Sequence, residues 1–455
     1  MTRQSLWPSL VEVAGILLVS TIAGRALVRS LLPGGAAWKL ERWGWSMALA
    51  VLLLPVNVCL SFALGFRPGW ISFLALAGVG VALAWRFALP RSDAPLAVRT
   101  GPSALSWLLF ALTAAGALVY LVCSLEEPLA SNDFFAIWGL KGKSIFGDAG
   151  IPRRLFDWAE YAFSNPAYPI GLPLLYSGVA FLLGRWEDHA MALVFPFFLV
   201  ATLLVLVGWL KRRGAASSVA PAASALVANF GLLYSPLLTG GMAEVPASFA
   251  FLLVGVSFCD SLDRTDPGGP RRLALAALPA AAVKNEGVFL LAAAAALLVA
   301  RAAWRREPVA WRTAAAIAIP GLGSFLLHRL VLGRHALRAF DFGLIRRPGF
   351  AGLLRDTLRE DFVQLVVPAW PALAALAFLI VFARRGSASG VLLALAGASL
   401  AVYLLLPAFC TFGPAWLVHW TVGRITAALA PLVAAGVAAG WGFPPAKVSS
   451  VQEVN

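Results

Sequence analysis

Apolar residues run along this chain in blocks of about twenty, separated by short polar or basic connectors. Trp43 to Leu64, Ser106 to Cys123, Met191 to Leu210 and Phe362 to Phe382 are four such blocks. Twenty helical residues reach roughly 30 Å, the thickness of a bilayer's hydrocarbon core. Strands of an outer-membrane barrel would alternate apolar and polar positions over about ten residues, and these blocks do not alternate. The pattern predicts an all-α, polytopic bundle with spans near 9–31, 43–65, 69–88, 103–125, 190–210, 218–236, 246–262, 272–283, 286–301, 311–332, 363–383, 388–409 and 424–441, about 13 in all. The N-terminal run, interrupted by Glu12 and Arg25, reads as a first span rather than a cleaved leader.

Composition agrees with the pattern: 60% of the 455 residues are hydrophobic and 13% are charged, against about 25% charged in ordinary globular domains. The net charge of +14 does not point to nucleic acid, because the basic residues form short clusters between apolar blocks. Lys211-Arg212-Arg213, Arg271-Arg272, Arg301 with Arg305-Arg306 and Arg312, and Arg384-Arg385 are placed as cytoplasmic loops are under the positive-inside rule. The four cysteines, at 59, 123, 259 and 410, show neither disulfide nor zinc spacing, and the four histidines show no HExxH spacing. No dedicated metal site is expected, and no Walker loop is present.

With those clusters inside, 126–168, 236–245, 333–361 and 410–423 face outward. Counting crossings then exposes a misfit. Segment 170–184, with Pro173 and three glycines, is too short to span, so it is expected to dip into the outer leaflet and return. Fewer than thirty residues separate Arg272 from Arg301, so the chain must rise and return, with two half-length helices meeting at Lys284-Asn285-Glu286-Gly287. The competing reading is one ordinary buried helix with a lysine reaching for the interface.

Charges near membrane depth cost about 2.5–3.5 kcal/mol even on insertion scales, which makes them candidates for function. Asp133, just past a span and followed by Phe134 and Phe135, would act as a general base, hold a cation, or merely cap the next helix. Glu244 precedes a span with Pro246 in its first turn, where a carboxylate also favours the helix dipole. Lys284 and Glu286, two apart, would not face each other on a helix, so an anionic ligand for the first and a cation or backbone donors for the second are expected. Arg424, on the outward side, runs against the positive-inside trend and suits a phosphate. These motifs are expected to converge on one cavity in the outer leaflet.

At these residues the chain resembles polytopic glycosyltransferases of the GT-C superfamily, and most nearly the bacterial relatives of protein O-mannosyltransferases and lipid A aminoarabinose transferases. Asp133 to Lys143, including Lys141, resembles the acidic residue and the aromatic, basic helix of that family's first outer loop. Asn165 to Pro173, including Tyr168, resembles its proline-containing segment, and Glu244-Val245-Pro246 its later acid before proline. Lys284 to Gly287 is similar to a Lys-Asn-Glu-Gly run in bacterial members, and Arg424 leading to Ala430-Pro431 to their closing stretch. The likeness covers about 105–441. The chain departs from the pattern in having about three earlier spans, Glu in place of Asp at 244, and Asn132-Asp133 in place of an acidic pair.

The resemblance implies three parts: N-terminal spans in 1–102, a catalytic membrane domain over 103–441 with outer-loop helices in 126–168 and 333–361, and a cytoplasmic tail over 442–455. It implies a bacterial inner-membrane enzyme that moves a sugar from a polyprenyl-phosphate donor to a lipid, glycan or protein acceptor on the periplasmic face. Asp133 and Glu244 would be catalytic, and Lys141, Tyr168, Lys284, Glu286 and Arg424 would bind substrate. No cofactor is implied for certain, and a divalent cation stays open. Partners would be the lipid-linked donor, the acceptor and membrane lipids, not nucleic acid. A secondary transporter is the main rival, because broken helices with charged apices also mark transport sites.

Overall fold

The computed structural model describes residues 6–32, 38–89, 103–126, 133–157, 164, 168–231, 241–263, 266, 268–332, 345–346, 348–361, 387–409 and 423–442. All regular structure among them is helical. In chain order the helices are α1 (Leu6–Leu27), α2 (Lys39–Ala63), α3 (Trp70–Arg86) and α4 (Ala104–Glu126). A wide π-turn, Phe134–Trp138, then leads into α5 (Gly139–Asp148), α6 (Arg154–Asp157), α7 (Gly171–Leu183), α8 (Asp188–Met191) and α9 (Val194–Arg212). Next come α10 (Val219–Leu226), α11 (Glu244–Ser261), α12 (Gly269–Val283), α13 (Asn285–Arg305) and α14 (Trp311–Leu332). The order ends with α15 (Phe350–Asp361), α16 (Ala388–Leu405), α17 (Gly423–Ala428) and α18 (Ala430–Gly442).

Seven helices among the described residues are long and apolar enough to cross a membrane. Their surfaces explain why the chain belongs in lipid. Along α4, Leu105, Trp107, Leu108, Leu112, Leu118 and Val119 all lie exposed. A helix that is apolar all round and still uncovered would aggregate in water and is at home among acyl chains. At the centre stands α11, buried along its whole length and packed by α9, α12, α13, α16, α17 and α18.

Hydrophobic driving force is weak between helices in lipid, so close packing by small residues takes its place. Gly44 of α2 lies against Val205 of α9, and Gly208 of α9 against the Glu41 backbone of α2. Tighter still, a Cβ on Gly287 would lie 1.7 Å from the Ala280 carbonyl oxygen across the α12–α13 hairpin. Gly287→Ala must therefore push the two helices apart. We expect a loss of about 1–3 kcal/mol, as for overpacked cores, read as a lower thermal midpoint in detergent; an unchanged midpoint would show that the hairpin is looser than described.

Several expectations meet the structure here. Segment 170–184 is one continuous helix, α7, of 13 residues, about 20 Å long by its rise. The break at Lys284 exists, but its two arms are unequal: α12 has 15 residues and α13 has 21, so α13 is not half-length. The expected outer loops contain α5, α6 and α15. Residues 165–167, the span 363–383, segment 410–422 and residues 443–455 lie outside the described residues.

Candidate functional site

Four pieces of chain bring charge to one place, and each has a local reason to do so. Glu244 opens α11 after the left-handed Gly241, with Pro246 in the first turn where a missing N–H costs nothing. Lys284 is the single non-helical residue between α12 and α13, with φ −152° and ψ 149°. Arg424 is the second residue of α17. Asp133 immediately precedes the π-turn into α5, and its side chain makes no capping bond there.

The side chains form one alternating chain of acids and bases. The Arg424 guanidinium donates to Asp133 Oδ2 at 2.5 Å and to Glu244 Oε1 at 2.8 and 3.0 Å. Lys284 Nζ reaches Glu244 Oε1 and Glu286 Oε1, both at 3.0 Å. The order is thus Asp133–Arg424–Glu244–Lys284–Glu286. Asp133 is the most exposed member, at 26% of its side chain, and Glu244 in the middle the least, at 1%. Such charge-assisted contacts are strong because little water competes for them.

One expectation is corrected by this geometry. Lys284 and Glu286 were placed apart because residues two positions apart on a helix point to different faces. Lys284 is extended rather than helical, so the two side chains meet directly. Lys284 thus has two acidic partners within the protein, Glu244 and Glu286.

The chain carries three acids against two bases, a formal charge of −1, and it leaves acceptors over. Glu244 Oε2 and Glu286 Oε2 are buried with no hydrogen-bond partner. Buried carboxylate oxygens are costly to leave unpaired, so both are open to a donor from outside the protein, water included. A divalent ion fits less well, because a base stands between each acid and the next. Among the described residues no group of three or more His, Cys, Asp or Glu side chains could hold a metal ion.

An aromatic wall stands beside the charges. Tyr168 packs on Trp138 with ring centroids 5.1 Å apart. Burial, and after it the charge of Glu286, hold the Tyr168 phenol well above its ordinary range, with Lys284, Asp133 and Arg424 near enough to contribute. Trp138 Nε1 is a buried donor without a hydrogen-bond partner among the described residues. Tyr403 of α16 donates from its hydroxyl to the Glu286 carbonyl at 3.4 Å.

Five of the seven residues singled out from sequence therefore share one ion-pair chain, and Tyr168 stands beside it. Lys141 is placed differently: it is fully buried on α5, where burial lowers its ammonium to about 7. The unfolded chain keeps that proton up to about pH 10.4. Between pH 7 and 10 the unfolded state thus binds more protons, and stability rises with pH; below pH 7 that gain is gone. Lys141→Met should flatten the rise of the thermal midpoint between pH 7 and 9.5, and a rise that persists in the variant would assign it to other groups.

A second charged cluster, which the sequence reading missed, occupies the other end of α11. Asp260 accepts from Arg212 and Arg213 at 2.6 Å each, Arg272 at 3.1 Å and Trp209 Nε1 at 3.2 Å. Arg212 also holds Glu41 at 2.7 Å, Arg272 also holds Asp266, and both guanidinium groups lie over the Trp38 ring. Arg212 and Arg272 were read as loop charges in water. They are instead buried, at 11% and 0% side-chain exposure, because acids from α2 and α11 draw them inward. The available signal was Asp260 itself, an acid closing an apolar run from Val254.

No protein-family model matches the chain, and neither a curated protein nor a solved structure does.

Proposed function

We propose that the chain is a membrane glycosyltransferase, moving a sugar from a polyprenyl-phosphate donor to an acceptor hydroxyl with inversion at the anomeric carbon. The observation that carries this reading is the ion-pair chain from Asp133 to Glu286, with its most exposed acid at one end and two unpaired carboxylate oxygens within. In this reading the protein is of the GT-C type, has about thirteen spans, lies in a bacterial inner membrane and works on the outer face.

The acceptor oxygen attacks the anomeric carbon, and the bond from that carbon to the phosphate oxygen breaks. The acceptor proton passes to Asp133 as general base, and the electron pair leaves with the polyprenyl phosphate. Arg424 and Lys284 stabilise the charge on that phosphate, while Glu244 Oε2 and Glu286 Oε2 take hydroxyl donors of the sugar. Arg424 gives the sequence an order. Without donor its guanidinium occupies Asp133; an arriving phosphate competes for it, so the base is released only when the donor is in place. Lys141 plays no direct part in this scheme, and α5, which carries it, positions the π-turn that follows Asp133.

The test is incubation of purified protein with radiolabelled polyprenyl-phosphate sugars and a membrane extract. Label appearing in a lipid, glycan or protein product supports the reading; label that stays on the donor across the set of sugars counts against it. The helix break at Lys284 with buried charge on both sides also suits a secondary transporter. Counterflow of a solute in proteoliposomes, without transfer, would favour that alternative.

A further inference from the structure

Away from the ion-pair chain, α11 and α13 end together around a cavity of about 300 Å³ lined by Ser261, Leu298, Arg301, Arg305, Glu307 and Pro308 among others. We infer that this cavity is a binding site for the phosphate of an anionic phospholipid, in the leaflet opposite the ion-pair chain.

Its level in the membrane follows from the helices. Glu244 and Ser261 are the two ends of α11, 17 residues or about 26 Å apart by the helical rise. Glu286 and Arg305 lie near the two ends of α13, about 28 Å apart on the same measure. Those lengths approach the hydrocarbon thickness. If the ion-pair chain sits near one face, the cavity sits near the headgroups of the other.

Its chemistry suits a lipid rather than a soluble anion alone. Two arginines against one glutamate give the lining a net positive charge, and Leu262 and Leu298 supply an apolar side for glycerol and acyl carbons. Trp304 and Trp311, next in sequence to the lining residues Arg305 and Ala310, are 76% and 70% exposed, and large exposed indoles are the usual residents of the headgroup layer. Arg312 lies over the Trp311 ring at 5.5 Å, and so holds a further cation at that level. The connector itself is held in shape. Arg306 takes the left-handed conformation at φ 53°, and Glu307 N–H returns to the Ala302 carbonyl at 3.0 Å. Arginines near a helix C-terminus complement its dipole without any ligand. That explains their charge but not the concavity, the apolar side or the two exposed indoles.

The test uses the full chain in detergent with phosphatidylglycerol, cardiolipin or phosphatidylcholine added, and retained lipid counted by native mass spectrometry. The anionic lipids should be retained and the zwitterionic one lost. The Arg301→Gln/Arg305→Gln double variant should weaken retention about 30-fold, at about 1 kcal/mol per arginine. Arg86→Gln, an exposed arginine at the end of α3, should leave retention unchanged and serves as the control for general surface charge. Equal retention of all three lipids, or retention that survives the double substitution in a correctly folded protein, overturns the assignment. Displacement of bound lipid by millimolar inorganic phosphate would also overturn it, by making the occupant a free anion.

Discussion

Asp260→Ala should destabilise the protein by about 3–5 kcal/mol, the cost of removing one partner from a buried charge group. The size follows from what stays behind. Asp260 is the meeting point of Arg212, Arg213, Arg272 and the Trp209 indole, drawn from α9, α12 and the residue after α9. Without it Arg212 keeps Glu41 and Arg272 keeps Asp266, but three guanidinium groups then face one another around a carboxylate-sized gap. Arg213 retains Asp263 at 3.8 Å and the Trp209 ring at 5.7 Å. The measurement is the midpoint of thermal or SDS unfolding, followed by tryptophan fluorescence. Asp260→Ala combined with Arg213→Met should lose less than the two single changes summed, since the second removes a charge stranded by the first. A single-variant loss under about 1 kcal/mol would mean that water already reaches these arginines and that the network is a surface feature.

Asp133→Asn should lower the transfer rate by about 10²–10⁴, the usual range for losing a general base, while leaving the fold intact. The two effects separate because of where Asp133 sits. Its side chain is 26% exposed and shares Arg424 with Glu244, so Arg424 stays anchored when the carboxylate is gone. Asp133 is also the most exposed member of the ion-pair chain, so its loss strands no fully buried charge. The readout is initial rate of label transfer beside thermal midpoint. A variant with full activity would remove Asp133 from the chemistry; one that fails to fold would make it a structural residue instead.

Much of this was legible before the structure, for one physical reason: charge inside apolar sequence is expensive, so each instance marks a position that pays its way. Asp133, Glu244, Lys284, Glu286 and Arg424 stood out on that ground, and the structure brings them into one chain. Their pairing was not legible. Helical geometry was assumed at Lys284, and a single extended residue reverses which neighbours it can touch. The Asp260 cluster was hidden for a related reason. Its arginines sit at the ends of apolar blocks, where positive charge is expected in any case, so nothing in local sequence distinguishes a solvated arginine from one drawn under the bundle by Glu41. Lys141 shows the limit in another form: the family resemblance placed it among the substrate-binding residues, and nothing in the sequence around it announces that it is wholly buried.

Mechanically, α11 is a strut clamped at both ends. Glu244 pins it to α17 and to the α12–α13 junction, and Asp260 pins it to α9 and α12 some 24 Å away by the helical rise. A piston stroke of one turn, about 5.4 Å, would have to break both clamps at once. Sliding of this helix is therefore a poor candidate for any working motion. Movement, whether it admits a donor or gates a solute, falls to the parts around the strut, and cross-linking α11 to α9 near Asp260 should leave that movement untouched.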